Sequence, residues 1–203
     1  MKKVLFGIMA LSMAAFAANP APTPGENGVE TASVPVKVIA EIITAPTGLT
    51  ITDEAGTVID ELLIDHGRIV QGKATSDSVA YKLFKVQRFT NGAPAKIGAG
   101  TLNVKLEGTT PGEATLAKNG ISADSKLTST LSLTGGATQV SSTEYNHTLG
   151  DGDTEHVGRV TSTIAKGATD VAGSLLNGGL QPGVHHNSRQ NTLTVVYTPT
   201  PTP

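Results

Sequence analysis

The chain has 203 residues, with no cysteine, no tryptophan, 23 glycines, 11 prolines, 3% aromatic and 16% charged residues. Without cysteine it has no disulfide framework, thiolate metal site or cysteine nucleophile, and a formal charge of −2 leaves no basic footprint for nucleic acid or an anionic membrane. The length suits one domain with appendages, and the core must be built from aliphatic and small side chains.

The first element is not part of the fold. Met1-Lys2-Lys3 is a positive start, residues 4–14 are apolar, and Ala15-Phe16-Ala17 has the small-x-small form of a secretory cleavage site. A signal peptide over residues 1–17, cleaved after Ala17, is therefore expected. The apolar run falls short of the roughly 20 residues that span a bilayer. No membrane span is expected in the mature chain. Phe6 and Phe16 leave with the signal, so the exported domain keeps as aromatics only Tyr81, Phe84, Phe89, Tyr145 and Tyr197.

Residues 18–33, with Pro20, Pro22, Pro24 and Gly25, read as a flexible leader. Alternation begins directly behind it. Over residues 34–43, Val34, Val36, Val38, Ala40 and Ile42 share one side of an extended chain, and Pro35, Lys37, Ile39 and Glu41 take the other. Pro46 and Gly48 interrupt this run. Residues 49–52 then form a short strand that ends at the turn Asp53-Glu54-Ala55-Gly56.

Residues 58–64 are a further β-rich run. In residues 78–89 the alternation changes phase, with Val79, Tyr81 and Leu83 on one side, Phe84 and Val86 on the other, and Phe89 back on the first; a β-bulge is one explanation. Leu102, Val104 and Leu106, and then Leu127, Ser129, Leu131 and Leu133, mark two half-buried strands. Residues 158–165 and 193–197 complete the predicted strands, the last placing Leu193, Val195 and Tyr197 on one face. The best helical signal is a single turn over residues 169–176, with Asp170 as its cap. Residues 199–203 read as an extended Pro/Thr tail. Short strands, many threonines and Gly/Pro/Asn/Asp punctuation predict an all-β sandwich over residues 44–198.

Chemical motifs are few. The chain contains no nucleophile elbow, phosphate loop, dinucleotide fingerprint or His-Glu-x-x-His pair, so no catalytic residue, cofactor or metal site is assigned. The adjacent His185 and His186 point to opposite faces of an extended segment and read as a loop pair. Asp151, Asp153 and Glu155 resemble the opening of a calcium loop, but the closing bidentate acid is absent, and a solvated turn is expected. Asn146-His147-Thr148 has the form of a glycosylation acceptor. Glu61 and Asp65 are carboxylates that no spacing brings together.

A strand at the mature N-terminus with one apolar face suits a protein that lends a strand to another molecule. Residues 34–43 extend to about 33 Å, long enough to run the length of a sandwich. Period two alone does not separate a donated strand from the first strand of the chain's own sheet.

Residues 36–42, Pro46, Leu49-Thr50-Ile51 and Asp53-x-x-Gly56 with Val58 resemble the start of mature chaperone–usher pilins of the alpha-fimbrial and common-pilus type. Leu180-Gln181-Pro182-Gly183-Val184, followed by residues 191–197, resembles the pilin ending. The chain departs from that pattern at Val184, which stands where an aromatic is usual, in the inserted residues 185–190, and in the Pro/Thr tail. The resemblance implies an immunoglobulin-like β-sandwich that lacks its last strand and is completed by a donated one. It implies a groove lined in part by Leu193, Val195 and Tyr197, filled by a periplasmic chaperone and then by the N-terminal strand of the next subunit, with an outer-membrane usher assembling identical or related subunits head to tail. The expected function is that of a structural subunit of a surface fimbria supporting adhesion. The alternative is a self-contained secreted surface module that binds a carbohydrate or host ligand; a hydrolase with dispersed catalytic residues is a third class.

Overall fold

A computed structural model of the chain describes residues 45–70, 72–118, 126–167, 183–187 and 191–201, together with the backbone of four two-residue strands. The chain divides into two units, Met1–Thr44 and Ala45–Pro203. In the first, β1 (Thr23–Pro24) and β2 (Glu30–Thr31) form a short antiparallel ladder within the leader. The predicted signal segment and the alternating residues Val34, Val36, Val38, Ala40 and Ile42 lie outside the described residues.

The second unit is all-β among its described residues. Its strands are β3 (Gly48–Thr52), β4 (Ser78–Thr90), β5 (Ala93–Ala95), β6 (Gly100–Gly108), β7 (Glu113–Lys118), β8 (Lys126–Thr134), β9 (Thr138–Ser141), β10 (Glu144–Leu149), β11 (Glu155–Ile164), β12 (Thr169–Asp170), β13 (Gly173–Ser174), β14 (His185–His186) and β15 (Asn191–Pro199). The larger sheet runs β14-β7-β8-β11-β4-β3, with β5 also paired to β4, and the smaller runs β15-β6-β10-β9. Every pairing is antiparallel. The β4–β5 hairpin turns on Asn91-Gly92, both at positive φ, the conformation in which a two-residue loop matches the twist of its strands.

Side chains from both sheets meet in one apolar cluster. Phe84, Val86, Leu131, Leu133 and Val160 come from the larger sheet, and Leu102, Val104, Leu106, Tyr145 and Leu149 from the smaller. Two antiparallel sheets packed on one cluster are consistent with a β-sandwich. The period-two positions of β6 and β8 are all buried, Ser129 included, because its hydroxyl finds a partner in Ser162.

Several sequence expectations are corrected. Residues 58–64 do not form a strand: after one bridge between Val58 and Thr52 the run leaves the ladder and packs Leu62 and Ile64 against the core. Leu62 and Ile64 are covered by packing instead of pairing, while Leu63 stays 61% exposed. The phase change in β4 involves no bulge, since β4 keeps unbroken register with both β11 and β3. Instead both faces of β4 become covered toward its end, so Gln87 and Phe89 are buried as well as Phe84 and Val86. The predicted helical turn is replaced at its described positions by the β12–β13 ladder, for which Gly173 is better suited than for a helix. The last strand runs on to Pro199, and Thr200 N–H still bonds to Ala99 O at 3.0 Å, so the ordered chain extends into the predicted tail.

Candidate functional site

The site begins with the periodicity of β15. Leu193, Val195 and Tyr197 stand directly opposite Leu106, Val104 and Leu102 of β6. Residues paired in this way share a face of the sheet, so all six point toward the core. Their burial differs sharply: Leu102 and Val104 are 0% exposed and Leu106 is 7%, whereas their β15 partners are only half-buried although they pack on the same cluster. The reason is topological. β15 ends its sheet, and among the described residues no strand lies along its outer edge.

The larger sheet ends in the same way at β3, whose outer edge carries only the bridge to Val58. Leu49 and Ile51 of β3, with Leu62 and Ile64, are again half-buried against the shared cluster. Arg88 of β4, directly opposite Leu49, places its guanidinium 5.4 Å from the Tyr197 ring centre. The Tyr197 hydroxyl donates to Ala99 O at 2.9 Å. Among the described residues the core is thus incompletely covered between β15 and β3. An edge of free backbone groups beside half-buried apolar side chains can accept a further strand, with hydrogen bonds from its backbone and apolar contact from alternate side chains.

Of the residues singled out in the sequence, the structure brings Leu193, Val195 and Tyr197 together on this margin. Asp151, Asp153 and Glu155 do not converge. Asp153 Oδ2 accepts from Gly150 N–H at 2.8 Å, while Glu155 pairs with Lys85 at 3.2 Å, and among the described residues no group of three metal-ligating side chains occurs. His185 and His186 pair with Lys118 and Ala117 as β14 on the edge of the larger sheet.

Three polar groups carry no sequence motif. The hydroxyl of Tyr145 is 2.9 Å from His156 Nε2, and the His156 ring stacks on His147 at 4.1 Å between centres. Burial, with a smaller contribution from the charge of His147, pushes His156 down to about 4, and burial pushes the Tyr145 phenol above its ordinary range. His66 bridges Ser78 at 3.0 Å and Ser162 at 2.7 Å, and burial lowers it against an opposing effect of Asp65. A serine beside a neutral imidazole is a nucleophile–base spacing. Here, however, Ser162 is 5% exposed and also bonded to Ser129, and two shallow hollows of about 370 and 270 Å³ near β6 and β7 contain none of these residues. The bonds fix residues 59–70 to the sheet. The third group is Thr52, Gln87 and Glu155, linked by side-chain hydrogen bonds across β3, β4 and β11. The period-two spacing of Tyr145, His147 and Leu149 was the available signal for β10, hidden by its polar residues.

No protein-family model matches the chain, and no curated protein matches it.

Proposed function

We propose that the chain is a structural subunit of a surface fimbria, assembled by donor-strand exchange. In this reading the domain is an immunoglobulin-like sandwich completed in the assembled state by residues 34–43 of a neighbouring subunit. The observation that carries it is the burial step from β6 to β15, where Leu193, Val195 and Tyr197 remain half-buried opposite fully packed partners. The length fits as well: the nine residues of β15 extend about 30 Å, close to the roughly 33 Å of residues 34–43. A head-to-tail contact of this kind need not close and so builds a filament. A chaperone would hold the same margin in the periplasm before an outer-membrane usher passes the subunit on, with the signal removed after Ala17. The activity is assembly in support of adhesion, without catalysis.

The test compares the mature chain with one lacking residues 18–43, run unboiled on a denaturing gel. The full form should give a ladder of polymers and the truncated form should not polymerise alone. Val38→Arg, which puts a charge among apolar positions, should abolish the ladder at unchanged expression. A strictly monomeric full form, with an equally stable truncated one, would overturn the proposal.

The same result would favour a second reading, a self-contained module that binds a carbohydrate or host ligand. Its supporting observation is Tyr81, 60% exposed on the outer face of β4 with the Arg159 guanidinium 5.5 Å from its ring centre.

A further inference from the structure

The polar group on β3, β4 and β11 contains a nucleophile and an acyl group held together away from water. Thr52 is 0% exposed and Gln87 is 9% exposed, and Thr52 Oγ1 donates to Gln87 Oε1 at 2.9 Å. On the far side of the amide, Gln87 Nε2 donates to Glu155 Oε2 at 3.2 Å, and Lys85 Nζ lies 3.2 Å from that same oxygen. The register accounts for the grouping. Gln87 stands opposite Thr50 on one side and Glu155 on the other, and Thr52 opposite Lys85, so these side chains share the face of the sheet turned away from Val86.

The turn after β3 covers the group: Asp53 N–H bonds to Thr57 O, and a side-chain carbon on Gly56 would sit 3.5 Å from Gln87 Oε1. The buried hydroxyl touches the carboxamide oxygen at 2.9 Å and the carbonyl carbon is one bond further on, so a small shift of either side chain brings that carbon within the roughly 3–3.5 Å from which attack proceeds.

We infer that Thr52 and Gln87 form an intramolecular ester cross-link. Thr52 Oγ1 bonds to Gln87 Cδ, and the carbonyl electron pair moves to Oε1. The hydroxyl proton passes to Oε1, which it already contacts, and is released to solvent when the carbonyl reforms. Glu155, whose side chain is 41% exposed and hydrogen-bonded to Nε2, hands that nitrogen a proton taken up from solvent. As the carbonyl reforms, the Cδ–Nε2 bond breaks and ammonia leaves. A hydroxyl and a carboxamide become an ester and ammonia; nothing is oxidised or reduced, and Glu155 ends as it began.

The bond ties the edge strand β3, where the chain enters the domain from residue 45, to the interior strand β4. In a chain without cysteine it supplies the covalent staple that exported domains otherwise take from disulfides. The inference does not rest on the fimbrial reading, because it concerns a single domain and is tested on the monomer.

The test is intact-mass spectrometry of the purified full chain incubated to constant mass, beside Thr52→Val and Glu155→Gln variants. The wild type should be lighter by one ammonia relative to Thr52→Val, after correction for the substitution. Trypsin should release residues 38–68 joined to residues 86–88, and hydroxylamine should separate the two peptides. Glu155→Gln should slow the loss by about a hundredfold, the usual scale of a positioned acid–base group. An unchanged wild-type mass, or an equal loss of ammonia in Thr52→Val, overturns the cross-link; loss at the wild-type rate in Glu155→Gln overturns the role of the carboxylate.

Discussion

Gly158→Ala is expected to destabilise the domain by about 3 kcal/mol, at the high end for a single added carbon in a packed core. The position is not one of unusual backbone conformation. Its cost is steric: the new carbon would fall on Phe84 Cζ and on the Tyr145 hydroxyl. Tyr145 and Phe84 are both 0% exposed and belong to the shared cluster, so neither can swing into solvent. Urea unfolding at neutral pH measures the change. Gly152→Ala, where nothing lies within 4 Å of the added carbon, is the control and should shift stability by no more than about 0.5 kcal/mol. Combining Gly158→Ala with Phe84→Leu should recover part of the loss. If Gly158→Ala unfolds at the wild-type midpoint, the packing of β11 against β10 is not as described.

The second large effect is a loss of stability in mild acid. His156 is 5% exposed and is pushed down to about 4 by burial and by the charge of His147, whereas in the unfolded chain it titrates near the ordinary 6.5. Between these values the unfolded state binds the proton and the folded state does not. Stability is therefore full above about pH 6.5, falls as the pH drops toward 4, and changes little further from this group below that. The shift corresponds to at most about 3 kcal/mol. His66, also lowered by burial, acts in the same direction. Urea midpoints measured from neutral pH down to about pH 4 should follow this course. His156→Gln, whose amide can still accept from the Tyr145 hydroxyl, should flatten it. A variant with the wild-type slope would place the sensitivity elsewhere.

Both effects centre on Tyr145, which nothing in the sequence marked as the hub of the interior. It stands in Glu144-Tyr145-Asn146-His147-Thr148, where polar residues hide the alternation. In the structure Tyr145 faces inward and is completely buried, and the half-buried His147 stacks on His156 from the facing sheet. A buried imidazole costs little when it is neutral and has a partner, and the partner of His156, Tyr145, comes from the preceding strand eleven residues earlier in the chain. The short strands β7 and β9 were missed for a related reason. β9 is exposed at every residue, so no apolar period exists to be read, and β7 carries small alanines at its buried positions.

Where burial falls on alternate aliphatic residues, local pattern and final structure agree. Leu102, Val104 and Leu106, the Leu127 to Leu133 series, and the inward face of Leu193, Val195 and Tyr197 were legible because one wet and one dry face impose period two directly on the residue types. The run 58–64 looked equally β-rich but found no ladder to join, since strand pairing depends on which backbone lies alongside. The same distinction governs the candidate site. Its composition could be read from β15 alone, whereas its openness could not: Leu193, Val195 and Tyr197 are half-buried only because β15 ends its sheet.

The sequence by itself determined an all-β chain without cysteine, an aliphatic core and an alternating final strand, because these follow from residue type and local period. Only the tertiary structure decided that β15 and β3 are edges, that His156 is held neutral against Tyr145, and that Thr52 meets Gln87. Each of these depends on contacts between residues remote in sequence, set by the order of strands in the sheets, to which a local pattern is blind.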